Sequence, residues 1–364
     1  MRKVNRREGV WDYVFNARKR KIYSGIVGLL VAAMLAGCSS NSTEPEPSQA
    51  AYGEATLVVG AYSVAKDALQ ELLPMFEEKW KAETGQSLHI EESYEASGTQ
   101  ARAIIGGFEA DVAIMAMEGD IDLIENAGFI THDWRDTASQ GMLTRSIVVL
   151  GTREGNPLNI QGWDDLTEKG VKVLYPNPKT SGGAQWDINA MFGAGLKQAE
   201  EKLGTADQQY AKEYLKKIHA NVESLDKSGR ASMAAFEYGV GDVIVTYENE
   251  LLARIAKGVN YDIVIPEDTL LIENPIALVD KHIEQHGNRQ VAEAFYKYLL
   301  SEEAQRIFVK HGFRAVDEVV AAESKDKYTV PEGLFDISYL GGWDKVREEL
   351  YSKRGIWYQV LADL

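Results

Sequence analysis

Short apolar runs of β-strand character alternate with helical patterns along most of this chain. The first run, Thr56 to Gly60, precedes apolar residues at helical spacing that stop at Thr84-Gly85. The alternation continues to about residue 300, with further strand-type runs at 88–93, 111–115, 146–151, 171–175, 243–247, 263–265 and 276–279. Strands alternating with helices are typical of a mostly parallel sheet covered by helices. The pattern therefore predicts an α/β protein.

The chain is long enough for more than one hydrophobic core. About 310 residues follow the N-terminal segment, which is more than a single core usually supports. We predict two lobes, with residues 54–145 and 276–364 in lobe 1 and residues 146–275 in lobe 2. Pro74 falls inside the first helical pattern and predicts a kink or a break there.

The N-terminus has the composition of an export signal. Eight Lys and Arg precede an apolar run of 11 residues, Ile26 to Ala36. A permanent anchor helix is the less favoured alternative, because spanning a bilayer takes about 20 residues. Leu35-Ala36-Gly37-Cys38 follows the run and resembles the lipobox of bacterial lipoproteins, in which cleavage leaves a lipid-modified cysteine. We expect residues 1–37 to be a signal peptide, Cys38 to be lipidated, and the polar residues 38–53 to be a flexible tether.

The charge of the chain argues against nucleic acid as a partner. The net charge is −16, and removal of residues 1–37, which carry eight Lys/Arg and two Asp/Glu, leaves −22. Nucleic acid binding requires concentrated positive charge. A small anion is still compatible with this charge, because backbone N–H dipoles can form a local positive site. Cys38 is the single cysteine, so an intrachain disulfide is excluded.

Signatures of catalysis and of metal binding are weak. No G-x-S-x-G, H-E-x-x-H or G-x-x-x-x-G-K-[ST] motif occurs. His282 and His286 have the i, i+4 spacing of a shared metal-ligand pair, but a solvated helix edge is the favoured interpretation. A hydrolase using Ser181 would need a base within about 3 Å, and no histidine lies near it in the sequence. We expect no metal, no cofactor and no enzymatic activity.

Three polar or glycine-rich turns follow strand-type runs and begin helical patterns. In the first, Ser97 is placed to cap the following helix. In the second, Ser181 to Gly183 begin a helix, where the glycines let a ligand approach the backbone and the helix dipole favours an anion. In the third, Gly229 precedes a short helix, with Arg230 beside it. Each turn is a candidate anion clamp; ordinary capping, a tight turn and a solvated arginine are the structural alternatives.

In order and surroundings, these turns resemble those of the sulfate- and thiosulfate-binding proteins of bacterial ABC importers. The resemblance spans most of the mature chain, and the run Pro176-Asn-Pro-Lys-Thr-Ser-Gly-Gly-Ala184 is its most specific motif. Other matching segments are 76–85, 97–101, 109–112, 155–157, 163–166, 241–244 and 248–250. The resemblance implies a two-lobed periplasmic-binding-protein-like fold of type II, in which each lobe is a mixed sheet flanked by helices and the ligand lies in the cleft.

The resemblance also implies a set of ligand contacts, with Arg230 as a charged neighbour behind them. They are Ser63, Ser97, Ser181, Gly182, Gly183, Gly229 and Tyr247. Two of these depart from the family pattern, which has an aspartate contacting through its backbone N–H in place of Ser63 and a tryptophan in place of Tyr247. A tyrosine hydroxyl can donate but projects differently from an indole N–H. The choice among sulfate, thiosulfate, molybdate and other tetrahedral oxyanions therefore stays open.

In this family, uncharged donors alone hold a dehydrated sulfate. Phosphate still carries a proton and needs an acceptor, so a cleft without a carboxylate would disfavour it by on the order of 1 to 3 kcal/mol. We therefore expect a monomeric extracytoplasmic receptor, lipid-anchored to the cell membrane, that delivers sulfate to the transmembrane subunits of an ABC importer. A lipid-anchored hydrolase and a purely structural envelope lipoprotein are the alternatives from other classes.

Overall fold

The computed structural model describes residues 53–363, so the predicted signal peptide, Cys38 and all but the last residue of the predicted tether lie outside it. Within these residues the strands are β1 Ala55–Tyr62, β2 Leu88–Glu95, β3 Val112–Ile114, β4 Met142–Arg153, β5 Val173–Pro176, β6 Val222–Asp226, β7 Val243–Tyr247, β8 Tyr261–Val264, β9 Leu271–Leu278 and β10 Arg314–Ala315.

The α-helices of the same residues are α1 Lys66–Thr84, α2 Ser97–Ile105, α3 Glu118–Asn126, α4 Gly182–Leu203, α5 Gln208–His219, α6 Gly229–Glu237, α7 Glu248–Ile255, α8 Asp280–His286, α9 Arg289–Leu299, α10 Glu302–Lys310, α11 Glu318–Ser324, α12 Gly342–Glu349 and α13 Ile356–Ala362. Most of the α-helices up to α7 alternate with strands, and α8 to α13 follow β9, with β10 between α10 and α11. None of the helices between residues 53 and 363 is long and apolar enough to cross a membrane.

One mixed sheet runs through this part of the chain in the order β2-β1-β3-β9-β4-β7-β5-β6, with β8 and β10 also paired to β4. β1 is parallel to β2 and β3, and β5 is parallel to β6 and β7. β9 and β4 pair antiparallel and join these two parallel groups. The α/β prediction is confirmed.

Each parallel group of strands has its own helices, and each group with its helices forms one lobe. Lobe 1 is β1 to β3 with α1 to α3, and lobe 2 is β5 to β7 with α4 to α7. Long buried runs such as Leu57 to Tyr62 and Ile147 to Leu150 fit strands that are covered on both faces. The predicted lobe boundaries at residues 145 and 275 stay a prediction.

Helix α1 shows how the sequence pattern becomes packing. Its buried residues recur at helical spacing and include Leu69, Leu72, Phe76 and Trp80. The helix runs through Pro74 and ends at Gly85, whose φ of 74° is the left-handed conformation that glycine adopts without a steric cost. The helix is continuous from residue 66 to residue 84, so a break at Pro74 is wrong, and a kink there stays a prediction.

Helix α4 is buried over most of its length, and the C-terminal segment of the chain helps to cover it. Phe335 lies directly against Gly193 in the middle of α4, and the hydroxyl of Tyr351 donates to Asn189 Oδ1 at 2.8 Å. Trp357 of α13 stacks edge-on against His219 of α5, with ring centroids 4.8 Å apart. The residues after about 335 thus pack against α4 and α5.

We predict that Gly193→Ala destabilises the protein. A methyl group at this position would overlap the ring of Phe335, and overpacking of this kind costs about 1 to 3 kcal/mol. Chemical denaturation measures the change in the free energy of unfolding. Gly162→Ala is the control, because a methyl group there meets nothing within 4 Å. Without the Phe335 contact, alanine would stabilise the helix by about 1 kcal/mol relative to glycine, so a stabilised Gly193→Ala variant contradicts this packing.

Candidate functional site

A small cavity lies at the carboxyl ends of the parallel strands of both lobes. Its volume is about 20 Å³, slightly more than the space that holds one water molecule. The segments that line it follow directly on β1, β2, β3 and β6 or form the last residues of β5 and β7. Ligands of open α/β sheets bind at this edge. The size of the cavity suits one small molecule or ion.

The cavity brings together six of the seven residues predicted as ligand contacts: Ser63, Ser97, Ser181, Gly183, Gly229 and Tyr247. The seventh, Gly182, lies beside it, and a methyl group on its α-carbon would stand 2.7 Å from Asp120 Oδ2. Arg230 is outside the lining, with guanidinium nitrogens 3.4 Å from Ser63 O and from Asp67 Oδ2. Contact of these residues with a ligand stays a prediction.

The second turn is built as its sequence predicts. Ser181 is the N-cap of α4, and its hydroxyl oxygen accepts from Ala184 N at 3.4 Å. The N–H groups of Gly182 and Gly183 have no partner within the helix, because the first turn of any helix leaves them free. A methyl group on Gly183 would lie 3.4 Å from the Tyr247 hydroxyl. The backbone of α4 therefore forms part of the wall beside Tyr247.

The first turn differs from its prediction. Ser97 does not cap α2 but is its first residue, and Ala96 occupies the cap position. The Ser97 hydroxyl accepts from Ala116 N at 2.8 Å and donates to Asp120 Oδ2 at 2.5 Å. The capping prediction is wrong because these two partners, both distant in sequence, already occupy the hydroxyl.

The third turn provides a further helix start. Ser228 caps α6 by accepting from Ala231 N at 3.2 Å, and Gly229 is the first helical residue. Tyr247 takes the cap position of α7. The starts of α2, α4, α6 and α7 thus all lie at the cavity, and each helix N-terminus is equivalent to roughly half a positive charge.

Two tyrosine hydroxyls in the lining are buried without a hydrogen-bond partner. They belong to Tyr62, the last residue of β1, and to Tyr247. Burial raises the pKa of Tyr247 well above its usual range, so its hydroxyl keeps its proton at neutral pH and is available as a donor. A buried donor without an acceptor costs about 1 to 3 kcal/mol. An acceptor in the cavity would satisfy both hydroxyls.

Two carboxyl groups also line the cavity, and neither was predicted from the sequence. Glu250 lies 3.7 Å from Arg230 and 3.8 Å from Arg254, so its charge is compensated. Asp187 is 1% exposed, and its Oδ1 has no partner. The expectation of a cleft without a carboxylate is therefore wrong as stated. One signal was present in the sequence: Asp187 stands four residues after Gly183 in a largely apolar helix, so it shares a helix face with that turn.

The lobes contact each other around the cavity. Trp186 of α4 donates its indole N–H to Ala116 O, after β3, at 2.7 Å. Lys257, just after α7, pairs with Asp67 of α1 at 2.6 Å, and Arg230 approaches the same carboxylate. The cleft between the lobes is therefore closed by both buried and partly exposed contacts.

The histidine pair considered as a metal site has other partners. His282 is buried rather than solvated, and its Nδ1 lies 2.9 Å from Ala110 O. His286 Nδ1 lies 2.8 Å from Asp111 Oδ1. Between residues 53 and 363, no cluster of three or more His, Cys, Asp or Glu side chains is arranged to hold a metal ion.

Two α/β lobes closed over a small cavity are the architecture of solute-binding receptors, and comparison with known proteins agrees. The family described as "Bacterial extracellular solute-binding protein" matches residues 57–314. A sulfate-binding protein of Synechocystis sp. is 36% identical over 94% of this chain and 97% of its own length. A thiosulfate-binding protein of Pseudomonas aeruginosa is 34% identical over 92% of this chain and 97% of its own length.

A solved structure supports the same assignment. The sulfate-binding protein SubI from Mycobacterium tuberculosis superposes with a TM-score of 0.74 at 32% identity, covering 82% of this chain and all of SubI. The chain belongs to the bacterial extracellular solute-binding proteins. The predicted two-lobed fold and the predicted family are thus confirmed.

Proposed function

We propose that this protein captures sulfate in the cavity between its lobes and delivers it to the transmembrane subunits of an ABC importer. The observation that carries the proposal is the convergence of unpaired donors on one small space. The hydroxyl of Tyr247 has no acceptor there, and the first turn of α4 adds backbone N–H groups. Sulfate offers only acceptors, so it suits a site of this composition.

The electrostatics of the site support an anion even though the chain is acidic. The starts of α2, α4, α6 and α7 direct their partial positive charges at the cavity. Backbone dipoles act over short distances, so a net charge of −16 on the whole chain does not cancel them inside a buried space. The anion is therefore expected to bind through fixed dipoles without a direct cationic side chain.

The relatives support sulfate as the ligand. Proteins named as sulfate-binding in Synechocystis sp. and in Escherichia coli are 36% and 37% identical to this chain. The departures at Ser63 and Tyr247 do not remove donor capacity, because a backbone N–H and a hydroxyl are still present. Thiosulfate and molybdate are competitors to be measured against sulfate in the same titration.

The anion would also hold the two lobes together. Ser63 and Ser97 reach the cavity from lobe 1, and Ser181, Gly229 and Tyr247 reach it from lobe 2. A ligand that bonds to both sides stabilises the closed state relative to the open one. β4 and β9 connect the lobes and are the expected hinge segments.

We predict that Tyr247→Phe weakens sulfate binding by about 10-fold to 200-fold. The change removes one buried donor to a charged acceptor, which is worth about 1.5 to 3 kcal/mol. Isothermal titration of the fragment beginning at Glu54 with sulfate measures the effect. Tyr238→Phe is the matched control, since Tyr238 is 90% exposed and does not line the cavity. Equal affinity in the two variants would contradict a role for the Tyr247 hydroxyl.

We predict that Ser181→Asp abolishes sulfate binding while the protein stays folded. Aspartate can cap α4 as serine does, but its carboxylate would place a negative charge at the wall of the cavity. Ser301→Asp is the control, because Ser301 caps α10 in the same way and does not line the cavity. Retained sulfate affinity in Ser181→Asp would place the anion elsewhere.

We further propose that the protein is a monomer held at the outer face of the membrane by a lipid on Cys38. The lipobox-like sequence that ends at Cys38 supports the anchor, and the extracellular family supports the location. Cys38→Ser should release the protein from the membrane fraction and prevent its labelling with a palmitate analogue. A Cys38→Ser protein that stays membrane-bound and labelled would contradict the anchor.

A further inference from the structure

The carboxyl group of Asp187 lies in the cavity wall with no polar partner to explain its burial. Its side chain is 1% exposed, and its Oδ1 has no hydrogen-bond partner. Asp187 forms no ion pair with any residue between 53 and 363, in contrast to Glu250, which has two arginines nearby. Of the two carboxyl groups that line the cavity, Asp187 is therefore the one without a compensating cation.

Within residues 53–363, no cationic side chain of a neighbouring element forms an ion pair with Asp187. The nearby titratable groups are the phenols of Tyr175 at β5, Tyr247 at β7 and Tyr351 after α12. Glu250 of α7 lines the same cavity. His219 of α5 approaches only through its bond to the Tyr175 hydroxyl, and Asp120 of α3 is bonded to Ser97.

These surroundings favour the neutral form of the Asp187 side chain. Desolvation by burial raises the pKa of the Asp187 carboxyl well above its usual range. A carboxylate beside a dianion in a space largely closed to solvent would add strong repulsion. A protonated carboxyl carries no charge and has one O–H to donate.

We propose that Asp187 carries a proton when the anion is bound and donates it as a hydrogen bond to the anion. This proposal rests on the proposed function, because it concerns the same cavity and the same ligand. A protonated Asp187 is an uncharged donor, so this side chain adds to the donors that face sulfate, while the charge of Glu250 is compensated by Arg230 and Arg254. The titratable carboxyl then couples anion capture to pH.

The sign of the coupling follows from the proton count. The sulfate complex holds one proton on Asp187, and the free protein loses this proton as the pH rises through the pKa of its carboxyl. Below that pKa the proton does not affect sulfate affinity. Above that pKa, the formation of each sulfate complex takes up one proton from solution. The sulfate affinity therefore falls about tenfold for each unit by which the pH rises.

Infrared difference spectroscopy tests the protonation state directly. We expect the sulfate complex of the wild-type fragment to show the C=O stretch of a protonated carboxylic acid, shifted relative to the sulfate-free protein and absent in Asp187→Asn. Asp120→Asn is the control, because Asp120 is also buried, has a pKa raised to about 6, and does not line the cavity. The band should persist in Asp120→Asn. Carboxylate bands assigned to Asp187 in the sulfate complex would overturn the proposal.

Titration calorimetry from about pH 5 to about pH 9 tests the coupling. The ratio of sulfate affinities, wild type over Asp187→Asn, should fall as the pH rises through the carboxyl pKa; a ratio that rises with pH overturns the proposal. Hydrogen phosphate that binds the wild type as tightly as sulfate does, and loses this binding in Asp187→Asn, would show an ionised acceptor and also overturn it. If wild type binds sulfate but Asp187 shows only carboxylate bands, the inference about Asp187 is wrong and the proposed function stands. If titration of wild type with sulfate gives no heat of binding at any pH, the proposed function is wrong as well.

Discussion

Buried polar groups that lack partners are the constraint on which the rest of this structure depends. Around a space of about 20 Å³, the chain collects helix starts, tyrosine hydroxyls and an uncompensated carboxyl, although each of these is costly to bury alone. The cost is recovered only if something in the cavity completes their hydrogen bonds. An anion made only of acceptors does so for the donors, and a protonated Asp187 would extend the donor set rather than oppose it.

The fold supplies the positions of these groups through a few connections. Parallel strands bring their carboxyl ends to one edge in each lobe, and β4 and β9 place the two edges face to face. Ala116 is one of the contacts at which the lobes meet: its N–H donates to the Ser97 hydroxyl and its carbonyl accepts from the Trp186 indole N–H. The same residue therefore orients a lining serine and fixes the helix that carries Ser181 and Asp187.

Local signals in the sequence were sufficient for part of this arrangement. The strand Val243–Tyr247 and the helix start at Ser181 to Gly183 appear as predicted, because strand character and helix starts depend on neighbouring residues. Ser97 was misjudged because its partners Ala116 and Asp120 are distant in sequence. Asp187 and Glu250 were missed since burial of a carboxyl depends on tertiary packing, and β6, Val222–Asp226, was missed because its residues are only partly buried. The expectations for residues 1–52 stay predictions.

The central claim is that the anion occupies the cavity where the helix starts converge. A crystal of the fragment beginning at Glu54 grown with selenate, which has the shape and charge of sulfate and a strong anomalous signal, tests it most directly. The account predicts one anomalous peak within hydrogen-bond distance of the Ser181 hydroxyl, the Gly183 N–H and the Tyr247 hydroxyl. A selenate peak at any other place on the protein, with this cavity empty, would contradict it.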